Sequence, residues 1–154
     1  MKKDEKQILI FSLSGEDLGL DISCVREVLK PQKIHPLQNA PEFIEGVIEL
    51  RGHIIVAMDL RKKFNIESLA DRPQMRIIVC TVKSFIVGLV VDSVSEVVSL
   101  SDANIMLSPQ TAALRFGDNY IAGIVRLGQR VITLLDLEKI LTAETLGKLS
   151  EIRK

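Results

Sequence analysis

Asp59 and Asp136 stand at the same place in two look-alike phrases, "GVIELRGHIIVAMDL" (46–60) and "GIVRLGQRVITLLDL" (123–137). Two carboxylates at matched positions could divide acid and base work between them. The residues after each aspartate favour a plainer role: "LRKKF" and "LEKIL" open as short helical stretches, and aspartate is a preferred helix N-cap. Glu27 and Glu96 are matched as well. The simplest meaning of a matched acid is the solvated side of an amphipathic strand, although an exposed strand face can also dock a partner. The basic run at 60–64 is expected to be a solvated helix face. His35 and His53 are eighteen positions apart with no second ligand at metal spacing, so neither a metal nor another cofactor is expected. Cys24 and Cys80 each stand alone inside an apolar run and read as small buried thiols, not as a disulfide. The sequence contains no Gly-Xaa-Ser-Xaa-Gly elbow, phosphate-cradling Gly-rich loop or Cys/His nucleophile pair, so nothing in it argues for an enzyme.

Arg51 is the residue the two phrases do not share. Copy one turns through Arg51 and Gly52 where copy two turns through Gly128 and Gln129. Glycine second and glycine first suit two different tight turns, so turn chemistry accounts for the glycines. It does not account for the arginine, a residue type suited to planar recognition of acids and amides on a partner.

These residues must be positioned by a duplicated unit. "QILIFSL" (7–13) aligns with "RIIVCTV" (76–82), and "LGLDISCVREVL" (18–29) with "VGLVVDSVSEVV" (87–98), both at a spacing of 69. The Gly46 and Gly123 phrases are 77 apart, so copy two carries about eight extra residues before Gly123. Each copy reads as five short strands with tight turns and a little helix, the size of a small SH3-like barrel. All five prolines fall in links: Pro31, Pro36 and Pro41 before the first hairpin, Pro73 between copies and Pro109 in the enlarged link. The expected fold is all-β with a few short helices: two five-stranded barrels sharing an apolar core. One domain spans 7–141, divided into subdomains at about 7–68 and 76–141, and 142–154 forms a surface helix or tail.

Composition limits the partners. Twenty Lys and Arg balance twenty Asp and Glu over 154 residues, and the chain has no Trp, one Tyr and five Phe. There is no global field to gather nucleic acid or anionic lipid and there are few rings to stack on bases. A small double-barrel nucleic-acid-binding protein is therefore the weaker alternative. The longest apolar run, around "IVGLVVDSV", is far short of the ~20 residues of a membrane helix. The N-terminal segment has no signal-peptide stretch, and a cytoplasmic protein without direct membrane insertion is expected.

Taken in order, "FSLSGEDLGLDISCVREVL", "APEFIEGVIELRGHIIVAMDLRKKF", "RIIVCTV", "VGLVVDSVSEVVSL" and "YIAGIVRLGQRVITLLDLEKIL" closely resemble the CheW-like coupling proteins of bacterial chemotaxis, over about residues 7 to 141. The resemblance implies two SH3-like barrels with a shared core and an adaptor with no catalysis of its own. Such an adaptor joins the cytoplasmic tip of chemoreceptors to the regulatory domain of the chemotaxis histidine kinase, itself a double barrel, and is recruited to membrane receptor arrays. A non-flagellar chemosensory pathway is the variant of this reading. Arg51 of the "LRG" motif, beside Gly52, matches a receptor-binding position. Val25 and Glu27 match a receptor-facing groove between the barrels, to which Val28 and Val91 add apolar surface. Kinase contacts are implied towards the second barrel's exposed ends, with no residue assigned. Glu49, Val56, Asn65 and Leu18 depart from the family pattern, and Glu49 puts a charge beside Arg51.

Overall fold

The computed structural model describes residues 6–67, 72–101, 104–106 and 121–141. The first apolar run of each copy forms a hairpin: β1 (Lys6–Leu13) with β2 (Glu16–Asp21), and β6 (Arg76–Val82) with β7 (Phe85–Val91). Third strands follow, β3 (Val25–Leu29) after a 3-10 turn at Ile22–Cys24, and β8 (Ser93–Leu100). The repeated phrases close each copy as hairpins of β4 (Ile44–Leu50) with β5 (His53–Asp59), and β10 (Ile121–Leu127) with β11 (Arg130–Leu135). Short helices α1 (Leu60–Lys63) and α2 (Leu137–Ile140) come next. Both aspartates cap as expected, Asp59 accepting from the Arg61 amide at 2.9 Å and Asp136 from the Lys139 amide at 3.2 Å. A two-residue strand, β9 (Ile105–Met106), pairs with β10 in the longer link of copy two and was not anticipated. The helix expected within 142–154 lies outside the described residues.

The strands do not assemble copy by copy. One sheet runs β8-β1-β2-β11-β10-β9 and the other β3-β6-β7-β5-β4. The first hairpin of each copy therefore joins the later strands of the other, through parallel pairings of β2 with β11 and β7 with β5. The division at 7–68 and 76–141 describes the repeat; it does not describe the barrels, each of which takes strands from both copies. The reason lies in side-chain alternation: β1 and β6 are apolar on both faces, so each must be covered on two sides. In β1, Ile8 and Ile10 pack inside one barrel with Val125 and Ile132, whereas Leu9, Phe11 and Leu13 join Met58, Ile78 and Leu89 in the cluster both sheets share. In β6, Ile77 and Val79 pack with Ile48 and Ile55 inside the other barrel, and Ile78, Cys80 and Val82 face the shared cluster. Two SH3-like barrels around a common apolar core result, as the sequence led one to expect.

The β3 barrel is closed across its edges. β3 and β4 end the sheet, and the link between them returns so that His35 and Val47 exchange two backbone hydrogen bonds of 2.8 and 2.9 Å. This contact needs Gly46, whose φ is +151° and where any Cβ would strike the His35 carbonyl. Among the described residues nothing approaches a Cβ at Gly123, its partner in the repeat, and its φ is not in the positive range, so the described structure places this demand on the first copy's glycine.

Where the chain crosses from β7 to β8 it passes between the barrels, and Asp92 ties the crossing down. Its carboxylate accepts from Arg61 Nε at 2.8 Å, Arg61 Nη2 at 2.6 Å, Arg72 Nη2 at 2.9 Å and the Ser14 amide at 2.8 Å. Arg72 also reaches Asp59 at 3.2 Å. The basic run at 60–64 is therefore not simply a solvated face: Arg61 is buried, and Lys62 pairs with Glu45 at 2.7 Å.

Candidate functional site

Arg51 and Gly52 both sit at positive φ, +51° and +82°, the signature of a type I′ turn, whose twist suits a two-residue hairpin. Asn-Gly is the usual filling, and an arginine in the left-handed region carries a steric penalty from its Cβ. In copy two only Gly128 is positive, at +62°, which makes a type II′ turn. The two tips thus meet the backbone demand in the two ways the glycine positions indicate.

The Arg51 guanidinium forks the Glu27 carboxylate, Nη1 to Oε2 at 2.6 Å and Nη2 to Oε1 at 3.0 Å. Glu27 lies on β3 and Arg51 at the β4–β5 tip, so the pair bridges the two edges of the sheet. The hydrogen bond from Arg51 holds the Glu27 carboxyl below the usual carboxylate range, and the same contact raises the arginine. Arg51 nonetheless keeps 69% of its side chain in solvent. Between Glu27 and the hairpin opens a cleft of about 560 Å³, lined also by Leu50, Ile54, Ile55, Val79 and Ile86. Ile55 and Val79 belong to the interior of the β3 barrel, so the cleft gives access to the end of that barrel's core, with a charged clasp at its rim.

Of the residues expected to face a receptor, the fold brings Arg51, Gly52 and Glu27 together. Val28 is exposed, but strand alternation turns it to the other side of β3 from Glu27. Val25 is half-buried against the shared core. Val91 is fully buried in that core, because β7, covered on both faces, directs it between the barrels. Val91 therefore offers no surface, and the cleft at Arg51 is built by one barrel alone rather than by a groove between the two.

The second copy repeats the arrangement with one displacement. Glu96, the counterpart of Glu27, accepts from Arg130 Nη1 at 2.8 Å, and Arg130 Nε reaches Asp17 at 3.2 Å. By the repeat spacing Arg130 corresponds to His53, two places beyond Arg51. The arginine missing from the second tip has shifted along the hairpin and kept its glutamate. Among the described residues the exposed large apolar side chains are Val28, Ile54, Val97 and Val131, at 39, 54, 48 and 50%. Val28 matches Val97 at a spacing of 69 and Ile54 matches Val131 at 77, so duplication has kept one exposed aliphatic residue by the arginine of each clasp, Ile54 in the Arg51 cleft and Val131 next to Arg130, and another, Val28 or Val97, on the far side of the strand that carries the glutamate. Reading Glu27 and Glu96 as merely solvated acids missed this, although the two spacings applied to Ile54 would have found it.

The comparisons with known proteins agree with this architecture. The family model described as a CheW-like domain matches residues 7–145. The "Chemotaxis protein CheW" of Klebsiella aerogenes is 35% identical over 97% of this chain and 89% of its own length. That of Treponema pallidum is 29% identical over 97% and 89%. The crystal structure of the scaffolding protein TtCheW from Thermoanaerobacter tengcongensis superimposes with a TM-score of 0.82 at 34% identity, covering 91% of this chain and 94% of that one. Matched through nearly its whole length in sequence and in fold, this chain belongs to the CheW-like family.

Proposed function

We propose that the protein is a non-catalytic adaptor that couples chemoreceptors to the chemotaxis histidine kinase through two separate faces. The observation that carries this reading is the duplicated surface: an Arg–Glu clasp with exposed aliphatic side chains on each barrel, Arg51 and Glu27 with Ile54 on one, Arg130 and Glu96 with Val131 on the other. Exposed aliphatic residues beside a bidentate arginine are the makings of a small interface anchor. The resemblance implies a helical receptor tip as the partner, and a helix docks by laying apolar side chains into a cleft. The 560 Å³ opening at Arg51 fits that role. Glu49, directly opposite Ile54 across the hairpin, adds a carboxylate at its margin and tunes the choice of receptor. The Val131 surface beside Arg130 then receives the kinase regulatory domain, barrel against barrel.

Calorimetric titration of the purified chain against an isolated kinase regulatory domain, and separately against a receptor-tip fragment, tests the assignment. Both are expected to bind at tens of micromolar or tighter, about 6 to 7 kcal/mol. Val131→Glu should weaken the kinase domain by at least roughly tenfold while leaving the receptor fragment unaffected. Loss of the receptor contact instead would reverse the two faces, and no binding by either partner would remove the adaptor reading.

A further inference from the structure

Cys24 and Cys80, 56 positions apart in sequence, are brought together by the fold. β3 pairs with β6 so that Val25 lies opposite Cys80, with Cys24 the next residue. Both cysteines pack into the shared core cluster. A disulfide asks for Cα atoms ~4.4–6.8 Å apart, a span that neighbouring strands ~4.7–4.9 Å apart provide at opposed and adjoining positions. The thiols differ in surroundings. Cys80 is fully buried, whereas Cys24 is partly exposed and lines an open cleft of about 490 Å³ between the barrels, beside Ser23, Thr81, Lys83 and Asp136. We propose that Cys24 and Cys80 are a reversible thiol–disulfide site, in which Cys24 is oxidised from the inter-barrel cleft and Cys80 resolves it.

The chemistry divides along the same line as the burial. The Cys24 thiol donates to the Asp21 carbonyl at 3.1 Å and the Cys80 thiol to the Ile78 carbonyl at 3.7 Å, and the neighbouring Cys80 thiol favours the Cys24 thiolate against the burial that opposes it. The same proximity, with burial, holds Cys80 protonated. A hydroperoxide entering the cleft is attacked by the Cys24 thiolate: the O–O bond breaks, one oxygen stays on sulfur as a sulfenic acid, and the other leaves as an alcohol or water with a proton. The Cys80 sulfur then attacks the Cys24 sulfur, the S–O bond breaks, and the departing hydroxide takes the Cys80 proton as water. Two electrons pass from the thiols to the peroxide, and a second thiol compound restores the pair. The resulting bond would staple the β2–β3 crossing, which runs between the barrels, to β6.

Hydrogen peroxide added to the folded, full-length chain tests this, read by intact mass and by peptide mapping without reductant. The expected result is the loss of two hydrogens, a Cys24–Cys80 linked peptide, and recovery of both thiols with dithiothreitol. Cys80→Ala should stop at a Cys24 sulfenic acid that dimedone captures. Cys24→Ser should leave Cys80 unmodified at the same peroxide dose, which does not depend on the fold of the first variant. Oxidation confined to intermolecular dimers, over-oxidation of Cys24 without a linked peptide in the unaltered chain, or equal reactivity of Cys80 when Cys24 is absent would overturn the proposal.

Discussion

Replacing Arg51 by glycine is expected to weaken binding of a receptor-tip fragment at least roughly tenfold while the melting temperature holds or rises. The two outcomes separate because they come from different parts of the residue. The backbone of Arg51 sits at φ +51°, where glycine is at ease and a Cβ is not, so the substitution removes a steric penalty. What it gives up in folding is one ion pair whose arginine is 69% exposed, and pairs in water contribute little because solvent screens them. For binding the order reverses: the guanidinium is the group a partner would meet at the rim of the cleft, and glycine has nothing to offer there. Arg51→Glu should weaken the receptor contact further by setting a second carboxylate beside Glu27. Thermal melts beside the titration check both halves. A large fall in melting temperature for Arg51→Gly would mean that the residue is retained for the fold.

Asp92→Ala is the substitution expected to cost most stability, about 3–5 kcal/mol, because it leaves Arg61 and much of Arg72 charged with little to pair with. For a chain of this size that is a drop of roughly 6–20 °C in melting temperature. Lys62→Ala, which breaks the more exposed pair with Glu45, should cost less than about 1 kcal/mol and serves as the comparison. The same network gives an acid limb. Burial pushes the Asp92 carboxyl up, but hydrogen bonds from Arg61, the Ser14 amide and Arg72 more than offset it and bring it to about 2 from an ordinary 3.8. A folded value below the unfolded one means that the contribution is complete above pH ~4 and is lost as pH falls towards 2. Asp59 runs the other way: burial outweighs Arg72 and the Arg61 amide and raises its carboxyl, so protonating it on acidification relieves a cost. Denaturant melts between pH 5 and 2 should therefore show stability falling with pH, with a shallower fall in Asp92→Asn.

Much of the fold was legible because duplication writes the same alternation twice. Among the described residues the matched spacings located the strands of the repeat, both hairpin tips and both caps, and the short β9 in the enlarged link had no counterpart to announce it. The same duplication hid the exchange of strands between barrels. β1 can satisfy its apolar pattern beside β8 as well as beside β3, and only the need to cover both of its faces decides. Val91 was misplaced for a related reason: "VGLVV" is apolar throughout, so nothing in the run says which side meets solvent. Arg61 looked like one of a solvated basic run because its partner, Asp92, lies 31 positions away across the crossing between barrels. The cysteines appeared solitary until β3 lay beside β6. At the functional surface, Arg51 was singled out by its mismatch between copies, whereas Arg130 was overlooked because it had moved two places along the same hairpin.

Two independent faces on one chain should hold two partners at once, and sedimentation velocity of a three-component mixture shows whether they do. The chain, a receptor-tip fragment and the kinase regulatory domain, each in excess of its binding constant, should sediment together as a ternary complex that Arg51→Glu and Val131→Glu each reduce to a different binary one. If the kinase domain instead displaces the receptor fragment from the unaltered chain, so that only binary complexes form, the two partners share a face and a two-faced adaptor is ruled out.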